Sequence, residues 1–111
     1  MQIKKVNRTW KVGLKNNIKI TEKANIKLKI NEQISFYSLT FNKVENEICK
    51  KNWGYYLTPS INKRLKKYDH KIFILKNSKK NSFLATVNNS KLKEFKKYCK
   101  DEKLKYFLFK N

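Results

Sequence analysis

Seven side chains in one short run have the types and spacing to hold an anion: Trp53, Tyr56, Thr58, Ser60, Asn62, Lys63 and Arg64. Thr58 precedes the only proline, Pro59, which predicts a helix start with Thr58 as N-cap and Pro59 in the first helical position. The first turn of such a helix presents unbonded backbone N–H groups and the positive end of its dipole, a cradle for phosphate. Arg64 adds a planar fork that grips two oxygens at once, and Asn62 and Lys63 add further donors. Trp53, Tyr55 and Tyr56 offer flat faces to a base or a sugar ring. The same residues also suit a core, because Trp53, Tyr55 and Leu57 alternate as one face of a strand with Gly54 and Tyr56 on the other. Tyr56 is on this pattern the ring freest to meet a ligand.

Catalysis is harder to build. His70 is the sole histidine, and its sequence neighbour Asp69 reads as its companion at a helix end on the surface. Ser60 and Thr58 have lysines nearby and no conventional base, so helix capping accounts for them better than nucleophilic attack. Between Ile48 and Lys93 the only acid is Asp69, and the remaining carboxylates are scattered, which leaves no acid–base pair in the central region. No phosphate-loop, dinucleotide-binding or zinc spacing occurs. These residues point to a non-enzyme with no cofactor and no metal. An enzyme working through Ser60 or Asn62 with a lysine base is the least favoured reading.

Charge points to a class of partner. The 111 residues carry a formal net charge of +20, with 28 Lys and Arg against 8 Asp and Glu. Such a chain repels itself and is drawn to polyanions, whether nucleic acid or an anionic lipid surface. Lysine-rich, arginine-poor composition is also what an AT-rich coding sequence produces, although that bias does not by itself remove acids. Aromatic residues make up 14% and apolar residues 40%, enough to fold in spite of the charge. No signature of an RRM, a KH loop or a zinc knuckle is visible, so nucleic-acid binding would be electrostatic and tolerant of sequence. Cys49 and Cys99 lie far apart and read as free thiols. No stretch approaches a membrane span and the first residues have no secretory pattern, from which a cytoplasmic location is expected.

The elements that must position these groups follow from periodicity. Residues 3–14 read as a strand, 15–17 as a turn, and 18–21 and 26–30 as two further strands with lysines facing water. A tight turn at Asn31-Glu32 leads to a strand over 33–41, and another strand is expected over 48–57. Ile61, Leu65 and Tyr68 share a face of the helix begun by Pro59. Residues 71–77 form an apolar, central strand, paired through a loop at 78–81 with 82–87. Asn89-Ser90 caps a second helix reaching Asp101, with Leu92, Phe95, Tyr98 and Cys99 on one face, and 104–109 closes the chain as a strand. Gly54 marks a bulge or a close backbone approach. The expectation is a single small α+β domain over 1–111: a mainly antiparallel sheet with two helices, in the order strands, helix, hairpin, helix, strand.

The run from Asn52 to Leu65, Asn-Trp-Gly-Tyr-Tyr-Leu-Thr-Pro-Ser-Ile-Asn-Lys-Arg-Leu, resembles the W-G-[FY]-Y-x-T-P-S-x-N-x-R-L signature of a family of small bacterial proteins of about this length. Residues 26–28, 31–36, 82–87 and 94–98 are also similar to that family. No activity is assigned to it, and the resemblance implies a role beside surface-polysaccharide and sugar-nucleotide metabolism. Its members look neutral or acidic, so the +20 would be this chain's own. The chain also has Asp69-His70 where the family's helix tends to end on glycine. Carried onto this sequence, the resemblance marks Trp53, Tyr56, Thr58, Ser60, Asn62 and Arg64. The leading expectation is a small non-catalytic module for a phosphorylated or polyanionic ligand, accessory to carbohydrate metabolism. The runner-up is a sequence-tolerant nucleic-acid binder acting through its lysines.

Overall fold

A computed structural model describes residues 1–40, 43–58 and 70–109. Alternating lysine and β-branched residues make the N-terminal part a two-stranded antiparallel ribbon, β1 (Gln2–Val12) against β2 (Ile18–Lys27). The turn between them needs left-handed backbone at Gly13 (φ +95°) and Asn16 (φ +52°), and the Asn16 N–H closes it on the Gly13 carbonyl at 3.0 Å. A second sheet orders β3 (Gln33–Tyr37), β4 (Val44–Lys51) and β5 (Gly54–Thr58) as β3-β4-β5. The third sheet sets the apolar β6 (His70–Lys76) between β7 (Ser82–Asn88) and β8 (Lys105–Leu108).

One helical segment covers the third sheet. Asn88 caps it by accepting the Ser90 N–H at 2.9 Å, a 3-10 turn over Asn89–Lys91 follows, and α1 runs over Leu92–Asp101. Its apolar stripe meets one face of β6 and β7. Phe73, Leu75, Val87 and Cys99 are buried there, with Ala85, Leu92, Phe95 and Leu104 packed against them. Phe73 lies 4.8 Å from Phe95 and 5.9 Å from Tyr106, ring centre to ring centre, in tilted and edge-on contacts. Burial of such a ring is worth about 1.5–3 kcal/mol, so this layer is where the folding free energy concentrates.

The expectation of two helices on one main sheet is not met. The described residues are mostly strand, held in three separate sheets, with a single helical segment of 13 residues. β-branched and aromatic residues alternating with lysine favour pleated backbone, whereas among the described residues only Asn88 to Asp101 combines a cap with a helical stripe. The helix expected at Pro59 falls on residues 59–69, outside the described residues.

Two strand boundaries also differ. The strand expected over 48–57 is a hairpin: β4 ends at Lys51, Asn52-Trp53 forms a two-residue loop, and Lys51 pairs with Gly54. Gly54 supplies φ +143°, a conformation side chains disfavour, and a Cβ there would meet nothing within 4 Å. It serves the turn, not a bulge or a close approach. Residues 18–21 belong to a strand that continues to Lys27, while Leu28 to Ile30 leave it, because Glu32 turns the chain by accepting the Lys29 N–H at 2.7 Å. Among the described residues no helix is long and apolar enough to cross a membrane.

Candidate functional site

The ribbon β1–β2 has two unlike faces. With β2 residues 18, 20, 22, 24 and 26 on one side, the register places Val12, Trp10, Arg8 and Ile3 beside them. That side is mainly apolar, with Lys5 opposite Ala24 and with Arg8, which reaches Glu22 at 3.5 Å and lies 5.0 Å over the Trp10 ring. The other side carries Lys4, Lys11, Lys19, Lys23 and Lys27 among hydroxyls and amides, and no carboxylate. Lys11 stands directly opposite Lys19, a like-charge pairing that costs stability. Thr9 and Thr21 meet at the centre with hydroxyls 3.3 Å apart, and the Lys23 ammonium donates to the Asn7 side-chain oxygen at 3.3 Å.

Acids are committed elsewhere. Glu32 takes the N-terminal ammonium of Met1 at 3.0 Å, which ties the open end of the ribbon to the turn before β3. Its carboxyl sits below its usual range, first through the Lys29 N–H and then through the N-terminal group. At the hairpin end the Leu14 N–H donates to Glu102 Oε1 at 2.6 Å, just after α1. A Cβ on Gly13 would come within 2.6 Å of the same oxygen. Among the described residues Lys97 is the only lysine in an ion pair, with Asp101 at 3.0 Å. The lysines of the ribbon are thus unneutralised, and the strip is pinned at both ends.

The sequence-derived cradle is only partly placed. Trp53 sits in the β4–β5 loop and Tyr56 on β5; they are 67% and 51% exposed, and their rings meet edge to face at 6.4 Å. Tyr55 and Leu57 are exposed too, so none of these residues forms core. The reason is the hairpin, which makes β5 the edge of a three-stranded sheet. Thr58 ends β5 opposite Glu47. Ser60, Asn62, Lys63 and Arg64 lie outside the described residues.

His70 differs from its expected surface position. It opens β6, is buried at 7% exposure, and its Nε2 is 4.0 Å from Glu45 Oε2, an interaction that joins the second sheet to the third. Cys99 is fully buried and burial pushes its thiol pKa up, while Cys49 is half-buried, and both are free. Among the described residues no three His, Cys, Asp or Glu side chains gather. An open cleft of about 700 Å³ lies where the hairpin meets the third sheet, walled by Leu14, Leu75, Phe83, Tyr98 and Leu104 with Glu102 at its rim.

The signal that would have found the ribbon face was present in the sequence. Lys19, Thr21, Lys23, Asn25 and Lys27 keep a period of two through Ala24, with Glu22 explained by Arg8 across the strand. Set against models of protein families, curated proteins and solved structures, the chain matches none of them.

Proposed function

We propose that this chain is a small non-catalytic binding module for polyanions, and that nucleic acid is the polyanion its described surface suits. The observation that supports this reading is the polar side of β1–β2, where lysines stand without any carboxylate and two of them face each other. Such a surface gains by neutralising phosphates and releasing their counterions, and it gains little from any one base sequence. A small phosphorylated ligand would need a compact cradle, and that expectation rests on residues 59–64, outside the described part.

Fluorescence anisotropy with labelled DNA tests the reading. Log affinity should fall linearly with log salt between about 50 and 200 mM, with a slope near −0.9 for each phosphate contacted. Scrambling the sequence should change affinity only a few-fold, and millimolar inorganic phosphate should not compete. Absence of binding at the lowest salt would overturn it.

A further inference from the structure

We infer that the β1–β2 ribbon docks lengthwise into the major groove of double-stranded DNA, its Lys11–Lys19 and Thr9–Thr21 rows facing the bases. This rests on the nucleic-acid reading above and names both the ligand form and the surface. Dimensions support it: two strands lie about 4.8 Å apart, and a ribbon with its side chains fits a groove about 12 Å wide. Strands of 11 and 10 residues span roughly 33 Å, close to one turn of B-form duplex. An isolated pair of strands also twists right-handedly more than a wide sheet does, as a groove-following element must.

Chemistry along the strip matches what the groove displays. Short hydroxyl side chains, Thr9 and Thr21, occupy the middle and leave room for base edges. Asn7, Asn25 and Gln2 carry the paired donor and acceptor that adenine presents in return. Lysines at both ends and along the flanks reach guanine edges and phosphates. All ten of these face residues are exposed except Thr21, which is half-buried.

Two other cationic surfaces fit duplex DNA less well. Helix α1 mixes its lysines with Glu94 and Asp101, and Asp101 already holds Lys97. The aromatic edge at β5 is no flat platform: the Lys50 ammonium sits 4.6 Å over the Tyr55 ring, and Trp53 meets Tyr56 at 64°. Among the described residues the ribbon alone combines free charge, width and length.

The test compares the full-length chain with two variants of equal charge loss. One is Lys11→Gln/Lys19→Gln/Lys23→Gln on the ribbon, the other Lys93→Gln/Lys96→Gln/Lys100→Gln on α1. The ribbon variant relieves the Lys11–Lys19 repulsion, so its melting temperature should hold. On a duplex of about two turns, the ribbon variant should bind about tenfold or more weakly and the α1 variant only a few-fold. Dimethyl sulfate should find guanine N7 protected and adenine N3 open, and double-stranded RNA, whose major groove is too narrow, should bind more weakly than DNA. Equal losses from both variants, protection of adenine N3 instead, or RNA bound as tightly as DNA would overturn the groove assignment while nucleic-acid binding stood. A wild-type chain that binds no nucleic acid would overturn both.

Discussion

The ribbon β1–β2 and the layer β6–β7–β8 are both built from antiparallel strands and end in opposite states. In the layer, α1 roofs the face bearing Phe73, Leu75 and Val87, and every fully buried apolar side chain among the described residues lies there. In the ribbon, Ile3, Trp10, Ile20 and Ile26 stay between 39% and 58% exposed, and no residue is fully buried. An apolar face gains free energy only when another element covers it, and two strands alone are marginal in water. The layer therefore holds itself together, whereas the ribbon leans on its two end contacts. A core can tolerate neither charge nor water; a strip that displays lysine needs both, and the molecule separates the two demands in space.

Breaking the layer should have the largest effect. Phe73→Ala removes the ring that Phe95 and Tyr106 pack against, and truncation of a buried aromatic costs about 3–5 kcal/mol. Urea denaturation should show an unfolding free energy lower by that amount, with the midpoint moved to lower urea. Cys99 should then become alkylated under conditions where the wild-type chain yields only Cys49.

Gly13→Ala aims at the ribbon instead. It forces a side chain into left-handed backbone at φ +95° and drives a Cβ onto the Glu102 carboxylate. The expected cost is about 1–3 kcal/mol, confined to the hairpin. Hydrogen exchange should speed up across β1 and β2 while β6 amides keep their protection. A uniform loss across both would mean that the two regions are not energetically separate.

Lys11→Glu should act in the opposite direction. Facing Lys19, it turns a repulsive cross-strand pair into an attractive one and should stabilise by about 0.2–1 kcal/mol. The same variant should bind DNA more weakly, so stability and affinity would move apart. Thermal melts and anisotropy on one preparation check both.

The smallest effect is expected from acid. The folded-state pKa of Glu32 is depressed, so its contribution is fully present above its ordinary value of 4.5 and lost as pH falls through the lower folded value. Protonation releases the Met1 ammonium and loosens only the open end of the ribbon. Amide exchange at the start of β1 should show that loosening in wild type. Glu32→Gln should be equally loose at every pH.

How legible these regions were follows from the kind of signal each carries. The unbroken apolar run Ile72 to Leu75 announced a central strand, and it lies between β7 and β8. The helix ending at Asp101 was visible through its cap and stripe, with the cap one residue earlier, at Asn88. The β4–β5 reversal was not visible, because Trp53, Tyr55 and Leu57 keep strand periodicity straight through the loop. Periodicity also offers no measure of cover, so the exposure of Tyr55 and Leu57 depended on β5 becoming an edge. Nor does it reach across eighty-eight residues to the contact between Leu14 and Glu102. Within the candidate site, the period of two from Lys19 to Lys27 was legible in β2, whereas the partners that complete the face depend on the register with β1.

Pinning the strip at Glu32 and Glu102 has a consequence for how a ligand would be met. A platform already fixed at its final spacing has no folding left to do on contact. Capture of a polyanion should then be fast, limited by electrostatically guided diffusion, and without a slow rearrangement phase. Its calorimetric heat-capacity change should be small, since no apolar surface closes as the partner arrives.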